Sequence, residues 1–301
     1  MKIYFSAPNL SILQEYHERT GGRKLNILVS YYEHKTNLLQ TLEKYAPYIG
    51  DVMLDSGAFS MFKEGVGSDA IKDLMRQFHG FLKSTDSKFL DRFKMIFNLD
   101  YHPDKKTGLA YNQQAFHDLQ QAYSRVVPVL HDITESSEDF ETYSSYNPCA
   151  IAIGTSEDKR KLKYLRPMVD RIHASGKPCH ILGVTSLSIL KECYVSSCDS
   201  KSWLDYSKSG QVMYVANVEH DIIENIYFPN KEDDKRSGTI FIHKYNGIDN
   251  FCREMKKELQ LELEDFFHPV KCSMARGLAN IYGFLKIEEI VNLKYKQSVP
   301  E

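Results

Sequence analysis

No two of the six cysteines (Cys149, Cys179, Cys193, Cys198, Cys252 and Cys272) are spaced as a CxxC pair. That excludes the redox and zinc frameworks built on this spacing. No GxGxxG, GxxxxGKS or GxxxxGKT segment occurs, so the usual dinucleotide and P-loop cradles for phosphate are missing. No apolar stretch approaches the ~18 residues that a transmembrane helix needs, so no membrane partner is expected. The N-terminus, Met-Lys-Ile-Tyr-Phe-Ser, reads as a strand and lacks the apolar core of a signal peptide. Neither sign of charge dominates: 38 Lys and Arg stand against 40 Asp and Glu, a net charge of -2. This argues against a strongly basic coat for nucleic acid, while a local basic groove stays open. Free thiols and the absence of a leader point to a reducing, cytoplasmic setting.

What is present suits a folded enzyme-sized domain. The chain has 301 residues, of which 42% are hydrophobic and 26% charged. Short apolar runs alternate with longer amphipathic segments. The runs are Lys2–Phe5, Asn26–Tyr31, Val52–Leu54, Met95–Leu99, Val126–Leu130, Ala150–Ile153 and His180–Leu182, with Val212–Ala216 and Thr239–Ile242 later. Between them lie helix-like stretches: Asp69–Lys83, Gln113–Tyr123, Glu157–Ala174 and Ser186–Tyr194. In the first of these, Ile71, Leu74, Met75, Phe78 and Leu82 recur at helical spacing. Ile248–Phe267 and Met274–Lys296 read as closing helices. Strand–helix alternation predicts a parallel sheet. Roughly eight units predict an α/β fold of the (β/α)8 TIM-barrel type. The expected organisation is one barrel domain over residues 1–301 with C-terminal helices. A doubly wound open sheet is the alternative.

In such a barrel, chemistry gathers at the C-terminal ends of the strands. Residues of special character follow the apolar runs there: Asp55, Asp100, His131, Gly154, Gly183 and Asp199. A single Asp after a strand is ordinarily a turn former or helix cap, but six such strand ends form a pattern. Asp55 opens the segment Asp-Ser-Gly-Ala-Phe-Ser, and Asp199 opens Asp-Ser-Lys-Ser-Trp, which ends on the only tryptophan. Two carboxylates on different strand ends are the acid/base and nucleophile pair that glycosidic chemistry uses. Gly57 and Gly154 allow a flat ligand to approach the backbone. Cys193 and Cys198 lack a partner pair. His243, Cys252, His268 and Cys272 form a zinc site only by free choice among distant positions, so no metal is expected.

Taken in order, these segments resemble the tRNA-guanine transglycosylase superfamily. Asp55–Ser60 looks like that family's Asp-Ser-Gly-Gly-Phe-Gln. Ile-Ala-Ile-Gly-Thr-Ser, from Ile151, looks like its Leu-Ala-Val-Gly-Gly. Ile-Leu-Gly-Val-Thr-Ser, from Ile181, is similar to its Leu-Met-Gly-Val-Gly. Asp199–Gly210 stands where the family has Asp-Cys-Val and a Pro-Thr-Arg segment. The matching segments span roughly residues 50 to 215. Three departures stand out. The Arg-rich stretch after the nucleophile is replaced by Lys201–Lys208. The family's base-reading Gln is replaced by His131. Its CxCxxC zinc motif is missing. Asp-Ser-Lys-Ser-Trp looks closer to the DNA-guanine transglycosylases, which insert 7-deazaguanines into DNA.

The resemblance implies exchange of guanine in a polynucleotide for a free 7-deazaguanine such as preQ0, with DNA favoured over tRNA. It implies Asp199 as nucleophile and Asp55 as general acid and base. Ser56, Gly57, Asp100, His131, Gly154, Leu182 and Gly183 would surround the base, and Lys201 and Lys208 would meet phosphate. No cofactor is needed, because a covalent intermediate conserves the glycosidic bond energy. The resemblance also fits a phage-encoded enzyme acting in a host cytoplasm and leaves the oligomeric state open. Three alternatives are a tRNA-guanine transglycosylase, another glycosidic hydrolase, and a non-catalytic nucleic-acid-binding subunit.

Overall fold

The computed structural model describes residues 1–98, 105–134, 137–154, 161–229, 240–268 and 270–298. Asp100 therefore lies outside the described residues.

The apolar runs form parallel strands: β1 (Lys2–Ser6), β2 (Leu25–Ser30), β3 (Ile49–Asp55), β4 (Phe93–Phe97), β5 (Val126–Val127), β6 (Val129–Leu130), β7 (Ile151–Ile153), β8 (Cys179–Ile181) and β9 (Ser197–Ser200). They hydrogen-bond in the order β5-β4-β3-β2-β1-β9-β8-β7-β6. The two ends of this order, β5 and β6, are halves of one run parted by Pro128, which has no N–H to give to a ladder. Val127 O accepts from Asn98 N on one side (2.9 Å), and Pro128 O accepts from Ala152 N on the other (2.9 Å). Nine segments thus occupy eight strand positions, and the sheet is an α/β, (β/α)8-like TIM barrel.

Helices cover its outer surface. They are α1 (Leu10–Arg19), α2 (Tyr31–His34), α3 (Leu38–Tyr45), α4 (Ala58–Lys63), α5 (Ser68–Ser84), α6 (Ser87–Leu90), α7 (Lys105–Ala122), α8 (Glu138–Ser145), α9 (Leu162–Ala174), α10 (Leu187–Glu192) and α11 (Ser202–Lys208). The stripe read from the sequence in α5 is buried at all five positions: Ile71, Leu74, Met75, Phe78 and Leu82. Burial of each such side chain contributes about 1.5–3 kcal/mol relative to exposure.

Strand alternation sorts the side chains into two cores. Ile3, Ile27, Leu54, Ile96, Ile151 and Ile181 point out to the helices. Tyr4, Leu28, Met53, Phe97, Val129 and Ala152 fill the barrel interior. At the N-terminal end of the barrel, Lys2 and Tyr4 both donate to Asp51, at 2.6 and 3.4 Å. The Lys2 hydrogen bond holds the Asp51 carboxyl below its ordinary range.

After residue 210 the structure departs from the sequence pattern in two places. Val212–Ala216 and the described part of the Thr239–Ile242 run, from Ile240 on, belong to the alternation of apolar runs yet contribute no barrel strand; Thr239 lies outside the described residues. β10 (Gln211–Asn217) and β11 (Ile222–Tyr227) are antiparallel, and β12 (Ile240–Phe241) joins them in a separate three-stranded sheet. The barrel already closes by pairing β9 with β1, so no ladder is left for a further strand. The expected helix Ile248–Phe267 also breaks. α12 (Ile248–Leu259) stops at Gln260, which adopts the left-handed conformation at φ 54° and caps the helix. A 3-10 turn, Leu263–Phe266, follows.

The last helix, α13 (Cys272–Ser298), ties both sheets together. Its Glu288 accepts the Ile3 N–H (2.6 Å), and its Asn292 accepts from the N-terminal amine (2.6 Å). Asn280, fully buried, accepts from Met213 N (2.8 Å) and donates to Gln211 O (3.0 Å) on β10.

Candidate active site

The inward-facing positions two residues beyond the interior core form the rim of the barrel at its C-terminal end. From the interior residues named above, these are Ser6, Ser30, Asp55, His131 and Gly154. His180 and Ser197 lead in the same way to Leu182 and Asp199. The fold thus places five of the expected residues, Asp55, His131, Gly154, Leu182 and Asp199, on one rim. In TIM-barrel enzymes this is the face that carries the active site, because its loops vary while the strands hold their ends rigidly.

Asp199 is the third of the four residues of β9 and is 6% exposed. Three donors meet its carboxylate. Oδ1 accepts the Gly183 N–H at 3.0 Å and faces His180 Nε2 at 3.2 Å, while Oδ2 accepts from the Ser6 hydroxyl at 2.5 Å. Burial alone would push this carboxyl up. The His180 hydrogen bond, the Ser6 hydroxyl and the Gly183 N–H outweigh it and hold the group below its ordinary value. Asp199 is therefore an anion at neutral pH, fixed in orientation and screened from bulk water.

Ser6 and His180 were not singled out from the sequence. Ser6 read as the end of an N-terminal strand, and His180 as part of an apolar run. One signal was available: His180 stands two residues before Leu182, so strand alternation puts a polar ring inside the barrel.

Ser6 is held in turn by the next helix. Trp203 in α11 is buried, donates its indole N–H to Ser6 O at 2.9 Å, and meets the Phe5 ring edge-on at 6.2 Å. The residue after Ser6, Ala7, takes the left-handed region at φ 54°, where a residue with a Cβ is strained.

Asp55 ends β3, half-buried, in register with Ser30. Its Oδ2 accepts the Gly57 N–H at 2.9 Å, an Asx turn that orients the carboxylate. Gly57 has φ +85°, and a Cβ there would lie 2.4 Å from Tyr32 Cβ and 2.5 Å from Ser30 Oγ. Both facts require glycine. Ser56 is 1% exposed. Its carbonyl accepts from Tyr32 N (3.2 Å) and its hydroxyl from Ala58 N (3.4 Å), so Ser56 builds the turn that carries Asp55.

Gly154 serves packing. Its N–H is committed to Leu130 O at 2.7 Å. A Cβ would come within 2.8 Å of both His131 Cε1 and Val129 Cγ1. The glycine thus makes room for the His131 ring on the rim, and a donor to a ligand oxygen would come from another backbone group. Leu182 N–H is bonded to Ile153 O at 3.0 Å, and Gly183, at φ +66°, turns its own N–H onto Asp199.

The two lysines are not brought together. Lys201 is exposed at the N-cap of α11, beside the rim. Lys208 is exposed at the last residue of the same helix, seven residues and about 10 Å further along its axis. All six cysteines are free thiols. Among the described residues no three His, Cys, Asp or Glu side chains gather as a metal site, and no helix is long and apolar enough to cross a membrane.

The chain matches no protein-family model and no curated protein.

Proposed function

We propose that the protein is a guanine transglycosylase that exchanges guanine in a polynucleotide, DNA foremost, for a 7-deazaguanine base. The observation that carries the reading is the Asp199 carboxylate: buried, ionised, and held by three donors on the rim that also bears Asp55. The motif resemblance adds the substrate class.

In this reading an Asp199 oxygen attacks C1′ of the target nucleotide. The C1′–N9 bond breaks and its electron pair leaves with guanine, which takes a proton from Asp55. The product is a glycosyl ester of Asp199. Asp55, now a carboxylate, accepts a proton from the incoming base as that base attacks C1′ and displaces Asp199. The nucleotide must leave its stack to reach a rim position inside a barrel mouth. His131, packed on Gly154, stands where a flat base would enter. The role of Asp100 toward the base edge rests on the resemblance alone. Lys201 is the better placed of the two lysines for a phosphate, because it flanks the rim.

A labelled 7-deazaguanine is offered with duplex DNA, single-stranded DNA and tRNA side by side. Transfer of label to one of them, with a covalent protein–nucleic-acid adduct on denaturing gels, is the expected result. Asp199→Ala should lose both while remaining folded. Net release of guanine without transfer would make the protein a hydrolase, a reading that the same pair of carboxylates supports. Absence of adduct, transfer and release on all three substrates would reject both.

A further inference from the structure

His180 is fully buried inside the barrel and has no contact with solvent. Its two ring nitrogens meet two residues of the neighbouring strand. Nδ1 lies 2.8 Å from Ser197 Oγ, and Nε2 lies 3.2 Å from Asp199 Oδ1. Ser197 and Asp199 are two apart on β9, so both face inward, and His180 pairs in register with Ser197. The ring is also fixed sideways: Phe97 lies against it at 4.8 Å and Tyr4 meets it edge-on at 6.4 Å. An imidazole with both nitrogens and two sides engaged has one orientation. An ionised carboxylate only accepts, so Nε2 carries the proton toward Asp199, and in the neutral ring Nδ1 accepts from the Ser197 hydroxyl.

The Asp199 carboxylate is held unequally as a result. Oδ1 receives two donors, His180 Nε2 and Gly183 N–H, while Oδ2 receives one, the Ser6 hydroxyl. His180 reaches the carboxylate from within the barrel, and Ser6 and Gly183 reach it from the rim.

We infer that His180 is a positioning residue for Asp199: with Gly183 it locks Oδ1, and so presents Oδ2 as the oxygen that meets the substrate. Its action is exerted through Asp199, and it touches no ligand itself. The inference rests on the reading of Asp199 as the attacking group. Burial of an unsupported carboxylate would favour its neutral, non-nucleophilic form, and the His180 hydrogen bond is the largest effect opposing burial here. The groups facing Asp199 are His180, Ser6 and Gly183 N–H, with the Cys198 thiol beside it on β9. Those facing His180 are Ser197, Tyr4 and Phe97, and the Tyr4 hydroxyl is turned away to Asp51.

The test separates position from structure. Gln places a donor near the Nε2 site, whereas Leu removes it. The Asp199 carboxyl is followed by carbon-13 NMR in aspartate-labelled protein and assigned by its loss in Asp199→Asn. In His180→Leu its titration should move up by about one pH unit or more, the usual scale of a hydrogen-bonded or charged neighbour. His180→Gln should restore most of the wild-type value. The acid limb of adduct formation should move in the same direction, with KM for the oligonucleotide unchanged. If His180→Leu does not fold, Ser197→Ala, which frees the far nitrogen of the ring, is read instead and should give a smaller shift of the same sign. A folded His180→Leu, or in its place Ser197→Ala, with wild-type Asp199 titration overturns the inference. If the titration shifts as expected while the wild-type protein transfers no base and forms no adduct, the transglycosylase reading fails and the support of Asp199 by His180 stands.

Discussion

The indole N–H of Trp203 donates to the main-chain oxygen of Ser6 at 2.9 Å, across 197 positions of sequence. The hydroxyl of the same Ser6 donates to Asp199. The one tryptophan of the chain thus holds the strand end that holds the candidate nucleophile. Trp203→Phe keeps much of the ring packing against Phe5 and removes the donor, leaving a half-buried carbonyl short of a partner. Urea unfolding should show a loss of about 1–3 kcal/mol. Adduct formation should fall as well, because the Ser6 hydroxyl loses its fixed position.

Gly57→Ala should be the more damaging of two glycine substitutions on the rim. Its backbone is left-handed, and the new Cβ would overlap Tyr32 and Ser30. Strain and overlap together should cost about 2–4 kcal/mol, read from denaturant midpoints. A stability within error of wild type would mean that the Asp55 turn is not built as described.

Gly154→Ala has ordinary backbone geometry and a crowded Cβ, 2.8 Å from His131 and Val129. The expected loss is about 1–3 kcal/mol. The His131 ring should shift with it, which imidazole proton and nitrogen NMR would detect. An unmoved His131 resonance would separate the two residues.

Asn280→Ala should destabilise the junction of α13 with the small sheet. It removes both partners of two main-chain groups of β10, Met213 N–H and Gln211 O. Each such group left unsatisfied costs about 1–3 kcal/mol. Hydrogen exchange at the Met213 amide should rise together with the drop in global stability.

The pH dependence of Asp199 has a definite sign. Its carboxyl titrates below the ordinary value when folded, where His180, Ser6 and Gly183 oppose burial. Such a group adds stability that is fully present above its unfolded pKa of about 3.9 and is lost as pH falls through the folded value. The stability gap between wild type and Asp199→Asn should therefore be constant from neutral pH down to about 5 and close in acid. Unfolding curves measured across that range read it directly. A gap that widens in acid would place the folded value above the unfolded one.

The alternation of apolar runs with helical stripes was legible in the sequence, because each is a local periodicity. The stripe Ile71 to Leu82 needs only its own helix to be recognised, and Met53 followed by Asp55 needs only one strand. Polar strand ends were visible for the same reason. The second sheet was not: Val212–Ala216 is as apolar as a barrel strand, and only closure of β9 on β1 excludes it from the barrel. The break at Gln260 was hidden because the apolar pattern continues past it, with Leu261 and Phe266 both buried.

By itself the sequence determined which faces are buried and which residues end the strands, since side-chain period and turn chemistry act over a few residues. The tertiary structure decided which strand ends meet. Ser6 and Asp199 stand 193 residues apart, and their hydrogen bond exists because the eighth strand position pairs with the first. His180 became the support of Asp199 only when β8 and β9 aligned in register. Register and ring closure are properties of the whole sheet: a single strand carries its face in its own sequence, but its neighbours are chosen by the packing of all the others.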